Sequence, residues 1–214
     1  MVFYDYIDIG INDNYNDDIK RGIIIDQNKN VLDKFKNIIN CVKLNMCVSN
    51  YEGNDNITYL EEKNEVYVIT LYQILNNFNI DGLYKLNIKS NEIIILNAFF
   101  EENKNNLYLP HIIISKNNIS FLNGIKNYYD YDNLYYRLNL KKIKNKRTFT
   151  KSIKNYYITN DDDNNYYNTL DSAKEYCIKN NCSGITFHNN IYQVRNGFYI
   201  YYNNDNNIYS WIYI

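Results

Sequence analysis

A chain of 214 residues is long enough for one large domain, or for one domain and a small module. Hydrophobic residues make up 45% and aromatics 16%, which supports a packed core and argues against overall disorder. With 23 basic and 24 acidic residues the net charge is -1, so electrostatics give no reason to expect nucleic acid or an anionic membrane as partner.

No run of 18 apolar residues exists, and the start, Met1-Val2-Phe3-Tyr4-Asp5, lacks a basic region followed by an apolar run. The expectation is a cytoplasmic protein without a membrane span or signal peptide. Cys41, Cys47, Cys177 and Cys182 are too few for a disulfide scaffold. Asn, Ile, Tyr and Lys share AT-rich codons, so their abundance reads as a genome signature first. That bias weakens every turn inferred from Asn, and the sequons at Asn56, Asn118 and Asn181 read as accidental.

In chain order, Phe3 to Ile9 predicts a strand, followed by a loop and a second strand from Gly22 to Ile25. Val31, Leu32, Phe35, Ile38 and Ile39 have near-helical spacing, predicting a helix from Val31 to Ile39. Cys41 to Val48 and Ile57 to Leu60 read as strands. Thr70 to Phe78 reads as a helix with Leu71, Ile74, Leu75 and Phe78 on one face. Gly82 to Ile88 is a strand, Ile93 to Phe100 a helix or its start, and His111 to Ser115, behind Pro110, a buried strand. Strands separated by helices of this length imply crossovers and a parallel sheet.

Asn127 to Asn145 has no firm period and holds a boundary, giving domains of 1–140 and 147–214. Beyond it, Arg147 to Ile158 reads as a strand with its approach. Asp161-Asp162-Asp163-Asn164-Asn165 reads as a solvated loop, because no Gly or spaced Glu completes a calcium loop. Thr169 is positioned to cap a helix from Leu170 to Asn180, with Leu170, Ala173, Tyr176 and Cys177 inward. Asn189-Asn190, between Gly184–His188 and Ile191–Arg195, is a two-residue hairpin signal. With Phe198 to Tyr202 and Tyr209 to Ile214 as strands, the second part is a small α+β module.

One pattern carries chemistry. An apolar strand enters a turn at Asp8-Ile9-Gly10-Ile11-Asn12, and a second strand, Gly22 to Ile25, ends in Asp26. Such a turn lets backbone N–H groups approach an adenosine-type cofactor while the acid takes the ribose hydroxyls. His111 and His188 read as structural, no zinc spacing is present, and Asp13, Asp17 and Asp18 read as solvated carboxylates.

From about Phe3 to Ser120 the chain resembles the FkbM-type S-adenosylmethionine-dependent methyltransferases. The resemblance rests on Asp8-Ile9-Gly10-Ile11-Asn12, on Gly22 to Asp26, and on the long segment Val42 to Gly53. It continues through Thr70-Leu71, the strand Lys85-Leu86-Asn87, and Leu109-Pro110-His111-Ile112-Ile113-Ile114. It implies a Rossmann-like α/β methyltransferase sheet with helices on both faces. S-adenosylmethionine would be held by Asp8, Gly10, Asn12, Asp26 and Met46, and the acceptor would be a sugar or small molecule.

The departures lie where reaction would occur. The family's Lys-Ile-Asp-x-Glu-Gly becomes Lys85-Leu86-Asn87-Ile88-Lys89-Ser90, followed by Glu92. Asn87 cannot act as a base near neutral pH, and Lys89 reverses the local charge. The Gly that often follows the first turn is Asn14, and the loop from Tyr59 to Glu65 is short. The second part faintly resembles PAN/apple-type modules at Ala173 to Cys177 and Cys182 to Phe187, which implies glycan or protein recognition. Tyr199, Tyr201, Tyr209 and Trp211 would then either stack on sugars or fill the core. Two readings follow: a methyltransferase-like protein, or a non-catalytic binding protein on a decayed methyltransferase scaffold.

Overall fold

The computed structural model describes residues 2–11, 21–38, 40–59, 62–103, 109–132, 135–143, 148–159, 165–203, 205 and 207–214. Asn12, Asp13, Asn14, Asp17, Asp18 and the Asp161–Asn164 stretch lie outside the described residues. The fold is mixed α/β, and the chain divides into two compact units. One unit contains residues 1–126 and 131–136; the other contains 127–130 and 137–214.

The first unit begins with β1 (Val2–Ile9), β2 (Gly22–Asp26), α1 (Lys29–Asp33) and β3 (Cys41–Asn45). Then come β4 (Cys47–Ser49), β5 (Gly53–Tyr59), β6 (Glu62–Thr70), α2 (Leu71–Asn77) and β7 (Ile80–Ile88). The chain continues through α3 (Glu92–Glu102), β8 (Ile112–Ser115), α4 (Asn123–Tyr128), β9 (Tyr129–Asp132) and β10 (Tyr135–Leu138), and the division between the units falls within the last three. A seven-stranded sheet has the order β3-β2-β1-β7-β8-β10-β9, and its first four pairings are parallel. β4, β6 and β5 form a separate sheet.

The parallel strands are apolar because both of their faces are covered. Every residue of β2 is buried, and Ile23 and Ile24 are fully so. Gly22 sits in register with Tyr6, whose ring a Cβ at position 22 would meet at 1.9 Å. Tyr6 thereby lies over the glycine, donates to Cys41 Sγ at 3.4 Å, and packs with Ile11, Ile24, Leu32 and Phe35. In α3 the buried residues Glu92, Ile95, Leu96 and Phe99 follow the helical repeat. Thr70 caps α2 by accepting from the Gln73 amide, whose side chain returns the bond, a capping box.

Several elements differ from expectation. The Val31–Ile39 helix ends at Asp33 and continues as turns bonded three residues back, which still bury Leu32 and Phe35. The expected Cys41–Val48 strand breaks at Met46, because Asn45 Nδ2 donates to the carbonyls of Asp26 and Gln27 at the sheet's end. β6, α4 and the β9–β10 strands are additional elements; their Asn and Tyr do not alternate cleanly with apolar residues.

His111 is buried just before β8, and its Nδ1 has no hydrogen-bond partner among the described residues. Burial pushes its imidazole down to about 3, so it folds neutral. Below its ordinary value of about 6.5 the unfolded chain takes up a proton that the folded one refuses. Stability should therefore fall by about 1.4 kcal/mol per pH unit below that value, continuing toward pH 3. Urea unfolding between pH 7 and 4.5 should show this extra slope in the wild type and not in His111→Leu.

The second unit contains a short 3-10 turn (Leu140–Lys142), β11 (Ile153–Lys154), β12 (Tyr156–Ile158), β13 (Asn165–Tyr167) and α5 (Leu170–Lys179). It ends with β14 (Gly184–His188), β15 (Ile191–Arg195), β16 (Ile200–Tyr202) and β17 (Tyr209–Ile212). β11-β17-β14-β15-β13 form an antiparallel sheet, with β12 and β16 as a second pair. Thr169 caps α5, and Ala173 and Cys177 are buried with Cys182, Ile185, Val194 and Tyr213. Asp130 ties the unit together, accepting from Lys142 Nζ (2.7 Å), Asn139 Nδ2 (2.7 Å) and Tyr199 Oη (2.8 Å). Burial alone would raise its carboxyl, but these donors together hold it below the ordinary value.

Asn189 and Asn190 join β14 to β15 with φ of 52° and 62°, the left-handed pair that a two-residue hairpin needs. A β-branched residue is penalised there, so Asn190→Val should cost about 1–2 kcal/mol, read as a lower urea midpoint. No helix among the described residues is long and apolar enough to cross a membrane.

Candidate functional site

In the seven-stranded sheet the order turns back between β1 and β7: the chain moves outward through β2 and β3, then returns to β1's other side. The carboxyl ends of adjacent parallel strands diverge at such a point and leave a crevice. A cleft of about 290 Å³ lies there, lined by Gly10, Ile11, Asp26, Asn28, Val31, Met46, Val48, Lys89, Ser90 and Asn91, among others.

Gly10 has φ +72°, and a Cβ there would lie 3.0 Å from Ser90 Oγ, so the turn both needs and exploits glycine. Its amide donates to the Ile25 carbonyl at 3.0 Å. Asp26, at the end of β2, accepts from the Ile11 amide at Oδ2 (3.0 Å) and from the Asn28 amide at Oδ1 (2.8 Å). A carboxylate has about four acceptor positions, of which these two amides, among the described residues, take two. Burial pushes the Asp26 carboxyl above its ordinary value, against the pull of those two amides and of Lys89's charge.

Asp8 does not line this cleft. It is buried on β1 in register with Asn87 of β7, whose Nδ2 donates to its Oδ1 at 3.0 Å. Lys89 Nζ stands 3.7 Å from the same oxygen. Burial raises the Asp8 carboxyl, with Lys89 and Asn87 opposing. A second Asp at position 87 would set two carboxylates face to face and force a proton onto one of them. Asn87 and Lys89 instead close the charge balance locally.

Of the residues expected at a cofactor site, Gly10, Asp26 and Met46 border one cleft together with Lys89. Asn12 lies outside the described residues. Glu92 opens α3, is buried, and accepts from Asn117 Nδ2 at 2.7 Å. Asn28, Val31, Val48 and Asn91 are lining residues that the motif reading missed. Only their proximity to strand ends could have marked them. A second pocket of about 370 Å³, lined by Ser115, Lys116, Asn117, Asn118, Ser120, Tyr131 and Tyr136, was also not foreseen; its signal is the polar run after β8. Among the described residues no group of three or more His, Cys, Asp or Glu could hold a metal ion.

In the second unit Trp211 packs beside Tyr192, with ring centroids 6.0 Å apart, and against the Cys177 cluster. Tyr201 stacks on Tyr157 at 5.9 Å, Tyr209 lies 6.5 Å from Phe187, and Tyr199 bonds Asp130. These rings all make contacts within the module.

No family model matches the chain, and no curated protein and no solved structure matches it.

Asp26 offers a separable test of structure and binding. Asp26→Ala strands two amides and should cost roughly 2–3 kcal/mol, read by urea unfolding. Asp26→Asn keeps one carbonyl acceptor and should lose distinctly less.

Proposed function

We propose that the first unit is a Rossmann-like, methyltransferase-type domain of FkbM descent that holds an adenosine cofactor of the S-adenosylmethionine type. The cleft at the β1–β7 reversal, bordered by both Gly10 and Asp26, is the observation that carries this reading. Counted along the sheet, the parallel strands run 3-2-1-4-5, the opening of the doubly wound order that binds nucleotides at its switch point. Met46, Val31 and Val48 supply an apolar side for an adenine, and Asp26 supplies acceptors for a ribose.

A specific observation favours the non-catalytic form of the reading. Methyl transfer to a hydroxyl needs in-line positioning and usually a base. At the end of β7 the groups available are an amide already donating to Asp8 and an ammonium. The function we assign is therefore cofactor binding on a methyltransferase scaffold whose transfer to a sugar or small-molecule acceptor has been lost. The Tyr-rich second unit serves as a glycan- or protein-recognition module.

Calorimetry with S-adenosylmethionine and its demethylated product tests the cofactor assignment. The expected result is saturable binding, weakened about tenfold or more by Asp26→Asn, which removes a charged acceptor. No binding at millimolar ligand would sink the assignment. Transfer of labelled methyl to any sugar acceptor would overturn the loss of catalysis.

A further inference from the structure

The pocket beyond β8 has no task in the reading above. Its lining residues all belong to the first unit, and none of them lines the Gly10–Asp26 cleft. Its volume of about 370 Å³ is that of a small-molecule site. Its wall is unusual for one, because such sites are mostly apolar and here no Ala, Val, Leu, Ile or Met lines the pocket.

Tyr136 of β10 fixes the polar part of that wall. Its ring is buried, and its Oη accepts from the Ile119 amide at 3.1 Å and donates to Asn118 Oδ1 at 3.3 Å. The same Oδ1 accepts from the Ser120 amide at 3.0 Å and from Ser120 Oγ at 2.6 Å. A backbone N–H only donates, so the Asn118 carboxamide is held one way round. Asn118 Nδ2, with two donors, has no hydrogen-bond partner among the described residues. Asn117 gives its Nδ2 to Glu92 at 2.7 Å, and its Oδ1, an acceptor, is likewise without a partner among the described residues. Tyr131 of β9 supplies the apolar element: it is 66% exposed, with its ring centroid 5.1 Å from that of Tyr136 and the rings tilted by 42°. Rings so tilted do not offer two parallel faces between which a flat base could be sandwiched.

We infer that this pocket binds a neutral saccharide. A pyranose ring has a face of C–H groups and a perimeter of hydroxyls, each of them donor and acceptor at once. The C–H face matches the Tyr131 ring, and the perimeter matches Asn118 Nδ2 and Asn117 Oδ1. Charge gives the pocket no preference for an ion: Lys116 is the one charged residue among those lining it, and the Glu92 carboxylate is bonded to the neighbouring Asn117. The site does not depend on what fills the Gly10–Asp26 cleft.

The test is titration of the full chain with glucose, galactose, mannose and N-acetylglucosamine, followed by saturation-transfer NMR, with adenosine as the flat aromatic competitor and circular dichroism to verify folding. Wild type should bind at least one of the sugars saturably in the millimolar range. Tyr131→Ala should weaken that binding about tenfold, and Tyr131→Phe, which keeps the ring, should leave it within about twofold. Asn118→Asp keeps the oxygen that holds the turn and removes both donors, and should weaken binding about fivefold. Should Asn118→Asp fail to fold, the two variants of the exposed Tyr131 decide alone. Absence of sugar binding at tens of millimolar, or binding that Tyr131→Ala leaves unchanged, overturns the inference. Adenosine bound more tightly than every sugar, with the same dependence on Tyr131, overturns the saccharide in favour of a planar base. Binding of S-adenosylmethionine is measured separately and does not enter this result, so the cofactor reading and the saccharide site fail independently.

Discussion

The cleft exists because one carboxylate holds two loops. Parallel strands cannot be joined by a tight turn, and the ladder holds the segment leaving β1 only as far as the Gly10 amide on the Ile25 carbonyl. Beyond that point Asp26 holds the segments leaving β1 and β2 by accepting the amides of Ile11 and Asn28, one from each. Bonds from N–H to a carboxylate are among the stronger ones available to a backbone. Yet burial still dominates and raises the Asp26 carboxyl, so the charge is held in an unfavourable place. A perturbed acid in a cleft marks a candidate functional position. Asp26 thus has a structural task at the mouth of the cleft.

Across the cleft, Asp8, Asn87 and Lys89 form the complementary case. Their charges and bonds are satisfied by one another. Among the described residues, the carboxylate, amide and ammonium at this end are partnered with one another. Asn87 and Lys89 face the same oxygen of Asp8, and the register of β1 with β7 brings the three together as one unit.

Much of the α/β character was legible because it rests on period. Ile23, Ile24 and Ile25 form a continuous apolar run, the mark of a strand covered on both faces. Thr169 and the Asn189-Asn190 pair announce α5 and the β14–β15 hairpin by local chemistry alone. Gly10 and Asp26 each follow or end one of two adjacent parallel strands, so their order and spacing in the sequence set them at the same end of the sheet. What was not legible depends on distant partners. The short α1 continues as turns bonded three residues back that bury Phe35, and β3 ends where Asn45 reaches back to β2. Glu92 follows the end of β7 in sequence, but its bond to Asn117 crosses from α3 to the segment after β8.

Among the described residues, six non-glycine positions have left-handed backbone, and all six are asparagine: Asn79, Asn91, Asn155, Asn181, Asn189 and Asn190. Asparagine tolerates this region better than most side chains but less well than glycine. With only 7 glycines in the chain, corners that many proteins give to glycine here carry an amide. Each of these corners carries a small backbone cost that glycine would not, so the cost of reversing the chain is spread over many turns rather than concentrated in one.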